Sequence, residues 1–99
     1  MIDNIFEITY EKKIRVNYNS LIKFIKLNGF EYSGYDPRDY HYDMYENEKL
    51  KLYLYVPNLE RFGEHETIEF YIKYCIDQLA NMLNIDKNDL VVKLAYETF

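Results

Sequence analysis

Four residues near the middle of the chain alternate in a pattern that could bind a partner. The segment 49–56 predicts a β-strand, and one face of that strand carries Lys49, Lys51, Tyr53 and Tyr55. The rings could stack on the bases of single-stranded nucleic acid while the lysines contact phosphates. They could equally form half of a protein interface, because a tyrosine buries a large ring and keeps a hydroxyl for hydrogen bonding. A third interpretation is structural, since aromatic side chains favour strands and pair across them.

The segment before this strand carries further tyrosines at alternate positions. We therefore predict an interaction surface made of Lys49, Lys51, Tyr53, Tyr55, Tyr40 and Tyr42. The sequence lacks the aromatic motif of ribonucleoprotein domains, and its net charge of −5 disfavours binding to phosphates. A protein is therefore the preferred partner. It would be a second copy, giving a homodimer through the tyrosines or an edge strand, or a different protein.

The acidic residues are concentrated in one stretch. Residues 12–27 contain five cations and no acid, whereas residues 31–48 contain six acids and one arginine. The predicted acidic surface comprises Asp36, Asp39, Asp43, Glu46 and Glu48. Carboxylates spaced in this way could imitate nucleic-acid phosphates and occupy a cationic groove on a protein that handles nucleic acids. The alternative is a set of loop and helix-cap acids that keeps the protein soluble.

Patterns for catalysis and metal binding are weak. His65 and Glu69 have the four-residue spacing that metal ligands use on a helix, and His41 and Asp43 share one strand face. A pair of this kind usually forms a surface ion pair. Cys75 lies within an apolar helical pattern, and the three glycines stand too far apart to form a phosphate-binding loop. We therefore expect no enzymatic activity, no metal site and no cofactor.

The composition of the 99-residue chain predicts a single domain over residues 1–99. The hydrophobic fraction of 48% is too high for a disordered chain, and one Cys excludes a disulfide framework. The first residues lack the features of a signal peptide, and no uncharged run approaches the roughly 20 residues of a membrane helix. We expect a soluble, cytoplasmic protein that does not associate with membranes.

Hydrophobic periodicity predicts the elements that position these residues. Strands are predicted over 4–10 and 14–18, which form an opening hairpin, and over 40–45, 49–56 and 90–96. Helices are predicted over 21–28 and 65–83. The second helix carries an apolar stripe made of Ile68, Ile72, Cys75, Ile76, Leu79, Met82 and Leu83. Asn19 and Ser20 are the expected N-cap pair of the first helix, and Gly29 is the expected residue at its end.

These elements predict the fold class. One face of the strand over 49–56 carries Leu50, Leu52, Leu54 and Val56. Helices should cover this face, and no other element remains to cover the opposite one. We predict an α+β fold with a mainly antiparallel sheet of about five strands and two helices on one face. After an extra N-terminal strand, the order of elements is that of the ferredoxin-like arrangement.

The composition also resembles that of a group of viral proteins. The chain has 12 Tyr, 10 Ile and 9 Lys but one Gln. This profile resembles small accessory proteins of archaeal filamentous and rod-shaped viruses, and almost equally orphan proteins of phages of AT-rich bacteria. The resemblance implies a soluble protein in the cytoplasm of the infected host. Some proteins of that kind bind host defence complexes and block them.

The sequence thus predicts a non-enzymatic protein-interaction module that acts through an acidic, tyrosine-rich surface. The alternative is a weak single-stranded nucleic-acid binder that uses the Lys/Tyr strand face. The two differ in salt dependence, since binding to phosphates weakens steeply as salt rises.

Overall fold

A computed structural model describes residues 4–63 and 67–95 of the chain. This part contains five strands and three α-helices, which confirms the α+β class. The strands are β1 (Ile5–Thr9), β2 (Lys13–Asn17), β3 (Glu31–Tyr35), β4 (Tyr42–Asn47) and β5 (Leu52–Pro57). The helices are α1 (Tyr18–Leu27), α2 (Ile68–Leu83) and α3 (Lys87–Lys93). A short 3₁₀ turn covers Leu59–Arg61.

The strands form two antiparallel sheets, so the prediction of a single sheet was wrong. β1 pairs with β2 as the predicted hairpin, and β3, β4 and β5 form a separate meander in that order. The two sheets separate directly after β2, because α1 begins at the next residue and the following strand, β3, comes only after this helix. The side chain of Asn17 starts this helix by accepting hydrogen bonds from the N–H groups of Asn19 (2.8 Å) and Ser20 (3.3 Å). The N-cap therefore lies before the expected Asn19–Ser20 pair.

The end of α1 confirms the expected role of Gly29. Asn28 is the C-cap residue, and Gly29 follows with φ of +89°, a conformation that side chains disfavour. A Cβ at this position would lie 3.3 Å from Nδ2 of Asn47. The buried Asn47 side chain donates to the carbonyl of Asn28 (3.0 Å) and accepts from the N–H of Leu50 (2.9 Å). It thereby joins the end of α1 to the turn between β4 and β5.

This turn shortens β5 relative to its predicted bounds. β5 begins at Leu52 rather than at residue 49, and Lys51 adopts a left-handed backbone conformation with φ of +56°. Lys49 and Lys51 are therefore turn residues and do not continue the alternation of the strand. The inward side of β5 matches its prediction farther along, where Leu54 and Val56 are buried.

The predicted last strand is a helix. Leu90, Val91 and Leu94 are buried, a helical spacing, whereas Val92 is 61% exposed. Asp86 caps α3 by accepting from the N–H of Asn88 at 2.8 Å. The ferredoxin-like order is therefore not formed, and the prediction of two helices was wrong. Ala95 makes one isolated bridge to Val16 of β2, and Tyr96 lies outside the described residues.

One hydrophobic cluster joins the sheets and helices. The predicted apolar stripe of α2 is confirmed, since Ile72, Cys75, Ile76 and Leu79 are buried in this cluster with Leu54 and Val56. The predicted start of this helix at His65 lies outside the described residues. α2 packs mainly against β5. No helix in the described part of the chain has the length and apolarity needed to cross a bilayer.

Candidate functional site

One face of the three-stranded sheet points away from the core. The register of β4 and β5 places Met44 opposite Tyr55 and Glu46 opposite Tyr53, and directly opposed residues project to the same face. Tyr42 lies on this face as well, because it is two residues before Met44. The intervening residues point the other way, into the core, where Tyr45 is buried.

Helix α2 extends this face beyond the edge of β5. Phe70 and Tyr74 lie four residues apart, so both project from one side of the helix. The ring of Tyr42 lies 6.2 Å from the rings of both Tyr55 and Tyr74. Tyr42 is only 8% exposed and supports its neighbours, whereas Phe70 is 68% exposed. We call this surface the tyrosine face, made of Tyr42, Met44, Glu46, Tyr53, Tyr55, Phe70 and Tyr74.

Arg38 lies at the end of the tyrosine face where β4 begins. The buried Asp36 carboxylate fixes the preceding turn by accepting from the backbone N–H of Arg38 at 2.9 Å. Nη2 of Arg38 donates to the hydroxyl of Tyr55, and the guanidinium carbon lies 5.6 Å from the centre of that ring. Together with the rings of Tyr42, Phe70 and Tyr74, this arginine borders a shallow aromatic groove.

The structure brings together half of the predicted interaction surface. Tyr42, Tyr53 and Tyr55 share the tyrosine face. Lys49 and Lys51 lie in the turn beyond the Tyr53 end. Tyr40 lies elsewhere, because its ring is 5.2 Å from the guanidinium carbon of Arg61, an arginine that pairs with Asp43 on the core side of β4.

The sequence analysis missed the contributions of Arg38, Phe70 and Tyr74. The apolar stripe of α2 predicted the buried side of this helix, and Phe70 and Tyr74 lie off that stripe. Two aromatic residues four positions apart on the polar side of a helix were the available signal. The Asp36–Pro37 sequence favours the turn that precedes Arg38, but no spacing in the sequence encodes the contact of Arg38 with Tyr55, 17 residues away.

Three residues of the predicted acidic surface are engaged by neighbouring groups. Asp36 is buried in its turn beside Arg38. Asp39 accepts from the backbone N–H of His41 at 3.0 Å, and its carboxylate lies 2.9 Å from Nδ1 of that ring. Asp43 pairs with Arg61 at 2.9 Å and accepts from the side-chain amide of Asn58 at 3.1 Å. These contacts hold the loops at the end of the sheet.

Glu46 and Glu48 lie at the opposite end of the sheet from Arg38. Glu48 is exposed in the turn after β4. Glu46 lies on the tyrosine face, directly opposite Glu31 of β3. Two carboxylates opposed in this way repel each other. This end of the face therefore carries two adjacent carboxylates, with Lys49 lining the same cavity.

The histidine that the structure describes belongs to an aromatic cluster. The ring of His41 lies 4.8 Å from that of Phe62 and 5.1 Å from that of Tyr71. Within residues 4–63 and 67–95, no three His, Cys, Asp or Glu side chains are placed to hold a metal ion. His65, the other histidine considered as a ligand, lies outside this part of the chain.

The single cysteine is inaccessible. Cys75 has no exposed surface, and its burial raises the pKa of the thiol well above the ordinary range. Burial also raises the pKa of the Tyr42 hydroxyl. Because nucleophilic chemistry needs the thiolate, the environment of Cys75 favours a packing role.

Comparison of the chain with models of known protein families, with curated proteins and with solved structures gives no match. The function must therefore be argued from the geometry of the site.

Proposed function

We propose that this protein is a non-enzymatic protein-interaction module and that the tyrosine face is its contact surface. The observation that carries the proposal is the continuous aromatic surface across two strands and one helix. Phe70 is 68% exposed, Tyr74 48% and Tyr53 46%. Phe70 and Tyr74 border the buried ring of Tyr42, and Tyr53 extends the surface toward the other end of the face. Aromatic residues, Met and Arg are enriched at protein interfaces, and such anchors carry most of the binding energy.

The distribution of charge supports a protein partner over nucleic acid. A stacking platform for nucleic acid needs cations along the path of the phosphates. At the Tyr53 end of the face, however, the adjacent carboxylates are Glu46 and Glu31. Lys49 and Lys51 lie in the neighbouring turn rather than between the tyrosines. A phosphate backbone that follows these rings would therefore run beside two carboxylates.

The proposal includes a biological setting. The compositional resemblance to viral accessory proteins supports a role in the cytoplasm of an infected host. The tyrosine face would bind a second copy of the chain and then leave other surfaces for a host protein. Mimicry of nucleic acid by the predicted acidic surface stays a prediction. Glu48 is the most exposed residue of that surface.

Sedimentation velocity over a concentration series tests the proposal. We expect the sedimentation coefficient of the wild type to rise with concentration. Tyr53→Asp and Phe70→Asp should each remove this rise, because a carboxylate would be buried without a partner at the contact. The matched control is Val92→Asp, which adds the same charge at a side chain 61% exposed on α3, away from the face.

The control variant should associate like the wild type. A wild type that sediments as a monomer at every concentration contradicts the proposal. Loss of association in Val92→Asp with no effect of Tyr53→Asp or Phe70→Asp would contradict it as well, since the contact would then lie elsewhere.

A further inference from the structure

We infer that the partner on the tyrosine face is a second copy of this chain, docked about a two-fold axis that lies in the interface and runs across the strands. In this arrangement Arg38 of each copy contacts Glu46 of the other. The inference rests on the proposed function and adds the relative orientation of the two copies and the residues that pair between them.

One end of the tyrosine face carries two neighbouring carboxylates, and Lys49, which lines the same cavity, is paired with neither of them in the described part of the chain. Glu46 and Glu31 are direct cross-strand partners. Within the described ranges, neither carboxylate forms an ion pair. Two like charges in this position cost stability. A cation supplied from outside the chain would offset that cost.

The other end of the face carries the cation. The side chain of Arg38 is 75% exposed. In the described part of the chain its hydrogen bonds to Asp36 and Tyr55 use Nε and Nη2. An arginine has five N–H donors in a rigid fork that matches a carboxylate. The Nη1 group is therefore available to a carboxylate of a partner.

Arg38 and Glu46 do not pair within one chain. Along β4, Tyr42 beside Arg38 and Glu46 are four residues apart, which is about 13 Å at the rise of a strand. The guanidinium reaches Tyr55, whose partner Met44 is two residues from Glu46, and in the described ranges Arg38 pairs with Asp36 instead. Arg38 and the two carboxylates thus lie at different positions along the strand direction.

The separate positions of Arg38 and Glu46 favour one of the two face-to-face orientations. A two-fold axis along the strands would place Arg38 opposite Arg38 and Glu46 opposite Glu46. An axis across the strands reverses the direction of β4 and places each arginine opposite the partner's carboxylate. Charge complementarity therefore favours the second orientation.

The same axis also aligns the aromatic residues. It keeps β5 of one copy above β5 of the other while reversing its direction. Tyr53 of each copy then lies over the groove of the other, which Tyr42, Tyr55, Phe70 and Tyr74 line. The exposed ring of Tyr53 and the groove lie toward opposite ends of β5. The rotation therefore brings the ring of each copy against the groove of the other.

Charge reversal followed by mixing tests the inference. Arg38→Glu and Glu46→Arg are made separately, and dimerisation is measured by sedimentation equilibrium. Each variant alone should dimerise at least about tenfold more weakly than the wild type, since both contacts in its homodimer become repulsive. An equimolar mixture should recover dimerisation, because the mixed dimer restores both Arg–Glu contacts. Glu60→Arg reverses an exposed acid that lines a cavity with Asp43 and Asn58, on the side of β4 away from the tyrosine face. It is the matched control and should change the dissociation constant by no more than about twofold.

The outcomes separate this inference from the proposed function. Recovery in the mixture supports the two-fold arrangement across the strands. If Tyr53→Asp and Phe70→Asp abolish dimerisation but the mixture of charge variants shows no recovery, the proposed contact surface stands and this arrangement is wrong. A wild type that remains monomeric contradicts both.

Discussion

The side-chain amide of Gln78 bonds to both backbone groups of Tyr55. Its Oε1 accepts from the N–H of Tyr55 at 3.4 Å, and its Nε2 donates to the carbonyl of Tyr55 at 3.3 Å. The amide thus occupies the outer edge of β5, where an additional strand would otherwise bond. Gln78 follows Phe70 and Tyr74 at intervals of four residues, so the same contact orients the aromatic side of α2 toward the sheet.

Replacing Gln78 by Met should destabilise the fold by about 1–2 kcal/mol, because two partly buried backbone groups lose their partners. Methionine keeps a similar length and a good helix propensity. Urea unfolding followed by circular dichroism measures the change. Asn81→Ala, at an exposed position of the same helix, serves as the control and should stay within about 0.5 kcal/mol of the wild type. If Gln78→Met and the wild type have the same free energy of unfolding, water bonds to the N–H and the carbonyl of Tyr55 as well as Gln78 does.

Asn47 should be among the most sensitive polar positions. It is 3% exposed and satisfies both the carbonyl of Asn28 and the N–H of Leu50. Asn47→Ala leaves both groups without a partner and should lower the free energy of unfolding by about 2–4 kcal/mol. Thermal and urea unfolding measure the loss, with the exposed Asn19→Ala as control. A loss no larger than that of the control would contradict the assigned role.

Stability should decrease at alkaline pH. Burial is the largest cause that raises the pKa of the Cys75 thiol and of the Tyr10, Tyr18 and Tyr42 hydroxyls. A group with a raised pKa stays protonated in the folded state while the unfolded state ionises. Its contribution to the free energy of unfolding is therefore complete at pH values below the pKa of the group in the unfolded state. This contribution declines at higher pH, from about pH 8.5 for Cys and about pH 10 for Tyr.

Urea unfolding at several pH values between 7 and 10.5 tests this dependence. The free energy of unfolding should decline above about pH 8.5 and more steeply above about pH 10. Cys75→Ala should remove the decline between these two values while keeping the steeper one. A free energy that is constant or rises over this range would contradict the assigned burial of these groups.

Binding to single-stranded nucleic acid should be absent. Fluorescence anisotropy of labelled single-stranded DNA and RNA, first at low and then at moderate salt, measures it directly. We expect no change in anisotropy at either salt concentration, because Glu31 and Glu46 border the tyrosines. Salt-sensitive binding that Tyr53→Ala and Tyr55→Ala both weaken would instead make the tyrosine face a stacking platform.

The elements with strong local patterns were predictable from the sequence. The opening hairpin, the apolar stripe of α2 and the glycine after α1 follow from periodicity and cap chemistry. The inward side of β5 at Leu54 and Val56 and the tyrosines at the next positions followed from alternation. The strongest part of the candidate surface, Tyr53 and Tyr55, was therefore visible before the fold was known.

The remaining features depend on contacts between distant residues. In the last predicted strand, the apolar residues Leu90, Val92 and Leu94 alternate as in a strand. The apolar residues Leu90, Val91 and Leu94 are equally well spaced for a helix. The Asp86 cap and the burial of the helical set decide in favour of the helix. The division into two sheets follows from the position of the Asn17 cap. Arg38 joins the tyrosine face through its contact with Tyr55, 17 residues away, which local patterns do not encode.

Selective ¹³C labelling of the tyrosine rings tests the central claim most directly, because the chain contains its own controls. The ring signals of Tyr53, Tyr55 and Tyr74 should shift as the protein concentration rises. Those of Tyr32, Tyr35 and Tyr40, which are exposed but lie off the tyrosine face, should not move. Shifts confined to the second group, or no dependence on concentration for any ring, would contradict the tyrosine face as the contact surface.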